Sequence, residues 1–224
     1  MDSALNKVGI YGIFAVLLTG IIVLLTWIIL GLPIPAAFSG FDEGMTVLLF
    51  VVGSYFIGIV LQEIGDYVDR KYFEFQDKVK RNFMNSDVFS NPLELNDLTT
   101  IANQILMKEA GNTAFTESEQ LYVFFHCKDY LEVRDKDGKA ESLSAAGDMS
   151  RSMMIAFFTY IILYSLFFLW NAFVSGCSIL DFFVCAMKLF ILGCLIHVFH
   201  RRAEKYAFLR IRAIFRHYKM LSQS

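Results

Sequence analysis

Residues 182–200, FFVCAMKLFILGCLIHVFH, decide the reading of this chain: nineteen residues hold a single charged side chain, Lys188. Three further blocks resemble this one and carry no charge at all, namely Val8 to Phe41, Gly44 to Gln62 and Ser152 to Leu180. Each supplies the ~20 residues that cross a ~30 Å hydrocarbon layer as a helix. With 56% hydrophobic residues gathered into such blocks, an ordinary soluble domain is excluded. The expectation is an all-α membrane protein with four transmembrane helices, at about 9–31, 45–62, 153–173 and 182–200. The first block is too long for the 7–15 residue core of a cleaved signal peptide, and reads as a retained anchor.

The links GLPIPAAFSGFDEG and NAFVSGCSILD are short, so the helices pair as two hairpins in a two-plus-two layout. Neither link carries Lys or Arg, whereas Lys7, Arg70, Lys71, Arg151, Arg201, Arg202 and Lys205 lie beyond the opposite ends. The positive-inside tendency then puts both termini and the middle of the chain in the cytoplasm. Four parts follow: a hairpin over 1–62, a cytosolic helical domain over 63–150, a second hairpin over 151–200, and a basic amphipathic tail over 201–224.

The insert is polar yet carries apolar residues at helical spacing. Ile64, Tyr67, Val68, Tyr72, Phe75 and Val79 predict that the second membrane helix runs straight on as a stalk. NPLE at 91–94 reads as a helix start with Asn91 as cap, Pro92 in the first turn and Glu94 reaching back, and Gly111 suits that helix's end. TESE at 116–119 repeats the signal, and RDKDGKAES reads as a turn centred on Asp137 and Gly138. The insert holds ten basic and 17 acidic residues, net −7, whereas residues 151–224 hold nine and two, net +7. The overall charge of −2 hides a dipolar chain.

The tail RRAEKYAFLRIRAIFRHYKML, 201–221, is the most informative segment. At 100° per residue Arg201, Lys205, Arg212, Arg216 and Lys219 fall within about 60° of one another. Ala207, Phe208, Ile211, Ile214, Phe215, Tyr218 and Leu221 form the opposing apolar face. Three readings stay open for the stripe: flanking charge facing the acidic insert, contact with anionic lipid headgroups, or a surface for a nucleotide or short oligonucleotide. Arg212 and His217 also share the R-x4-H spacing of HEPN ribonucleases, with Ala213 where that family often has a polar residue. No G-x-S-x-G, P-loop, H-E-x-x-H or Gly-rich dinucleotide turn is present, so the chain reads as a non-enzyme. The cysteines, Cys127, Cys177, Cys185 and Cys194, have neither disulfide-framework nor zinc spacing, and no metal or cofactor is expected.

A charge near a bilayer centre costs about 2.5–3.5 kcal/mol on insertion scales, so Lys188 calls for a reason. Either its stem reaches the outer interface or it faces protein or a watery lumen. Thr19 and Thr26 in the first helix and Tyr160 and Tyr164 in the third are further intramembrane polar candidates. Gly9, Gly12, Gly20, Ser54, Gly58 and Gly193 permit close helix approach. Four helices seldom enclose a continuous water path, so a pore requires several copies around an axis, a tetramer being favoured.

Two hairpins, an α-helical insert and the tail YAFLRIRAIFRHYKML resemble the small membrane effectors of bacterial anti-phage defence, the Hailong-type channel effectors first and CRISPR-associated accessory membrane proteins second. The resemblance implies a homo-oligomeric channel controlled by an oligonucleotide that a partner nucleotidyltransferase makes. It further implies depolarisation and growth arrest on infection, with the basic stripe as the ligand-contacting part. The alternatives are a membrane-anchored ribonuclease using Arg212 and His217, and a non-conducting scaffold that recruits a partner through the acidic insert.

Overall fold

The computed structural model describes residues 10–32, 42–85, 89, 91–109, 114–134, 136 and 138–222. Lys7, Gly9, Gly111 and Asp137, and most of the first short link, lie outside them. The described residues are helical with no strand: α1 Ile10–Leu30, α2 Glu43–Val68, α3 Phe75–Arg81, α4 Pro92–Leu106, α5 Glu117–Glu132, α6 Gly138–Ser175 and α7 Ile179–Ser222. Of these, α1, α2, α6 and α7 are long and apolar enough to cross a membrane, which makes this a multi-pass membrane protein. The last two run far past the expected 153–173 and 182–200: α6 has 38 residues and α7 has 44. Gly138 therefore opens a helix instead of centring a turn. The chain divides into two compact units, one formed by Gly12–Val68 and Asp148–Arg202, the other including Asp69–Gly147 and Ala203–Ser224.

In the first, the apolar unit, α1 and α2 meet at positions without side chains. A Cβ on Gly20 would lie 1.7 Å from the Ser54 carbonyl oxygen, and one on Gly58 would lie 2.1 Å from that of Val16. Backbone touches backbone at two levels, as small residues allow in a membrane. Gly12 and Gly193 have no such neighbour within 4 Å. Val23, Leu30, Met153, Phe157, Tyr160, Tyr164 and Leu192 fill the buried centre, where Phe157 also stacks obliquely on Phe199 at 5.6 Å. Phe14, Phe56, Trp170 and Phe190 point away from the chain, which suits a surface wetted by lipid. Buried Arg151 joins α2 to α6 through Asp66 at 2.6 Å and also grips Asp148.

The second, the ion-paired unit, opens with a correction to the stalk. Beyond Val68 the chain makes one wide π turn, Asp69–Phe73, in which the Glu74 N–H donates to the Asp69 carbonyl at 2.6 Å. Glu74 then takes a left-handed φ of 52° and α3 begins afresh. The reason lies in burial: Val79, Phe83 and Met84 enter the core, whereas Tyr72 stays exposed. That core joins Phe83, Leu98, Val123, Phe124, Cys127 and Leu131 to Ile211, Ile214 and Phe215 of α7, so the apolar face of the tail is its packing face. Burial pushes the Cys127 thiol up, leaving it inert. Gln120 is buried with both ends of its amide engaged, accepting from the Met84 N–H at 3.1 Å and donating to the Phe115 carbonyl at 3.2 Å.

Thr116 and Glu119 form the expected reciprocal box at the start of α5. At α4 only half of the expectation stands. Asn91 accepts from the Leu93 N–H at 3.0 Å and Pro92 opens the helix, but the Glu94 side chain turns to α7 instead of back to the cap. Two guanidinium groups there outcompete one backbone N–H. The helix also stops short of Gly111, at Leu106, with Met107 taking the left-handed φ of 53°.

Candidate anion site

Arg212, Arg216 and Lys219 sit one turn apart along α7, and Glu94 and Asp97 one turn apart at the start of α4. Glu94 Oε2 accepts from Arg212 Nε at 3.0 Å and from Nη2 at 2.6 Å, while its Oε1 accepts from Arg216 Nη2. One carboxylate is thus gripped on both oxygens by two guanidinium groups. Lys219 Nζ donates to Asp97 Oδ2. The hydrogen bond from Arg216, with that from Arg212, holds the Glu94 carboxyl below the usual carboxylate range against the opposing pull of partial burial.

These side chains line an open groove of about 720 Å³, together with Lys139 and Leu143 from the start of α6 and Leu209, His217 and Met220 of α7. Lys139 was not among the residues singled out from sequence, nor were Glu94 and Asp97 as partners of the stripe. The i, i+3 spacing of the two acids in the first turn of α4 was the signal available for them.

Three of the five cations of the stripe line the groove. Arg212, Arg216 and Lys219 share the groove; Lys205 is exposed and outside its lining; Arg201 is exposed and belongs to the apolar unit. His217 lines the same groove as Arg212, with its Nδ1 buried and without a hydrogen-bond partner among the described residues. Ala213 is buried and lines the groove as well. Two positively charged forks that converge on one carboxylate are suited to a phosphate, whose oxygens offer the same bidentate geometry.

The intramembrane polar candidates have a different character. Lys188 Nζ donates to the Leu30 carbonyl at 3.1 Å and stands 5.1 Å from the Tyr164 ring centre. Leu30 ends α1 and Gly31 follows at φ 73°, so the ammonium caps a helix C-terminus, where carbonyls lack intrahelical donors and the dipole favours a cation. Thr19 donates to Ala15 O and Thr26 to Ile22 O, each at 2.8 Å, and Tyr160 donates to Val23 O at 2.5 Å. Every one of these four donors ends on a carbonyl of α1.

Comparison with family models, with curated proteins and with solved structures finds no match for this chain.

Proposed function

We propose that this chain is the subunit of a homo-oligomeric channel of the bacterial inner membrane, an effector of anti-phage defence opened or shut by a nucleotide or short oligonucleotide. In this reading the four apolar helices form two hairpins, both termini and residues 63–150 are cytoplasmic, and a partner nucleotidyltransferase makes the signal. The observation that carries it is the pair Arg212 and Arg216 converging on one carboxylate at an open groove, on the same helix as the fourth apolar stretch. A ligand that prefers one state of the groove shifts the pore equilibrium by its differential affinity for the two states. Because Thr19, Thr26, Tyr160 and Lys188 are spent on α1 carbonyls, the water path runs between copies of the chain. Opening it would depolarise the cell and arrest growth.

The test is ion flux through liposomes holding the purified protein, with and without ATP or a five-nucleotide single-stranded DNA. Flux that changes with either probe is expected; no flux in any condition overturns the channel. His217→Ala should leave flux and toxicity in place, and loss of toxicity with intact flux would move the assignment to the ribonuclease alternative.

A further inference from the structure

The groove cations do not stand empty: three of them, Arg212, Arg216 and Lys219, hold two carboxylates. Those carboxylates do little for the packing of α4, which is held through Leu98, Ile101 and Ala102, all buried in the core. Their pairs lie at the groove mouth instead. The Arg216 side chain is 55% exposed and Asp97 45%. Single ion pairs at that exposure add little to stability, and the Glu94–Arg212 contact, at 23% and 30% exposed, is still within reach of solvent.

We infer that Glu94 and Asp97 are an internal occupant of the anion site, holding the places that a ligand's phosphate oxygens take, so that the ligand binds by exchange of phosphate for carboxylate. This deepens the nucleotide reading above and rests on it. Glu94 already makes the contacts that a phosphate would make, with separate oxygens on separate guanidinium groups. Exchange frees the first turn of α4 from α7 while Leu98 and the residues after it stay docked. Apparent affinity is then scaled down to the fraction of time the cations are unoccupied, and a first turn latched nine-tenths of the time weakens binding about tenfold. Such a device sets the signal concentration at which the protein responds.

The experiment measures binding of ATP and of a five-nucleotide single-stranded DNA to the full chain in micelles at fixed ionic strength, for the native protein, Glu94→Gln, Asp97→Asn and Arg216→Gln. The expected result is binding about tenfold tighter for Glu94→Gln, a smaller gain for Asp97→Asn, and a loss for Arg216→Gln. Amide exchange at residues 94–97 of the native protein should quicken when ATP is added. Equal or weaker binding by both carboxylate variants, with native binding present, overturns the latch and leaves the ligand site standing. No binding by any form removes the ligand site and the latch with it. Circular dichroism checks that each variant is folded, and Asp97→Asn carries the result should Glu94→Gln not be.

Discussion

Lys188 and Arg212 stand on the same helix and are satisfied in opposite ways. The first has a backbone carbonyl and an aromatic face; the second has the carboxylate of Glu94. The contrast extends to their units. In the apolar unit Thr19, Thr26, Tyr160 and Lys188 all end on α1 carbonyls, and Gly20 and Gly58 let main chain meet main chain. In the ion-paired unit the contacts of Lys108 with Glu119 and of α4 with α7 pass between side chains, as that of Arg151 with Asp66 does in the apolar one. Without water, an unmet carbonyl is costly and a competing solute is absent, so main-chain partners are safe. In water, side-chain pairs are weak enough to be exchanged.

The contrast breaks hardest at the glycines. Gly20→Ala puts a methyl group into the Ser54 carbonyl and is expected to cost about 3 kcal/mol, read as a fall in the unfolding midpoint in micelles. Gly12→Ala, with open space around it, should cost nothing, and equal losses at both sites would refute the main-chain contact. Lys188→Met leaves the Leu30 carbonyl without its donor and should cost about 1–2 kcal/mol in the same assay. An unchanged or higher midpoint would return Lys188 to the pore.

On the ion-paired side, Thr116→Ala removes a cap and should cost about 1 kcal/mol. Its partner supplies a pH signature. Lys108, with the Thr116 N–H and hydroxyl, holds the Glu119 carboxyl down to about 2 from its ordinary 4.5. A folded value below the unfolded one stabilises above about pH 4.5, and that contribution drains away as pH falls from there toward 2. Glu119→Gln should flatten this part of the acid-unfolding curve, and a curve of unchanged slope would show the box to be unformed in solution. The smallest effect belongs to Met107→Gly, which relieves a left-handed residue at a helix end and should gain about 0.5 kcal/mol.

Sequence reasoning reached what periodicity and composition encode. The uncharged blocks became helices, Thr116 and Glu119 formed their box, and the apolar face of the tail became core. It failed where a local signal met a distant competitor. Glu94 has the spacing of a capping residue, yet two arginines more than a hundred positions away take it. Helix ends were misplaced for a related reason. Residues 138–152 lack a long apolar run and so gave no helical signal, and nothing in YFEFQ announces the break at Glu74, which core packing imposes. Lys188 showed itself as an anomaly, but the helix end that it caps lies 158 residues back along the chain.

The glycine contacts between α1 and α2 carry a consequence for how the protein is made. A seam of main chain has no rotamers to freeze, so its two helices lose little side-chain freedom on joining. They also precede α6 and α7 along the chain and leave the ribosome before either. The pair can therefore dock as soon as it is inserted, and the later helices arrive at a template whose spacing is already fixed.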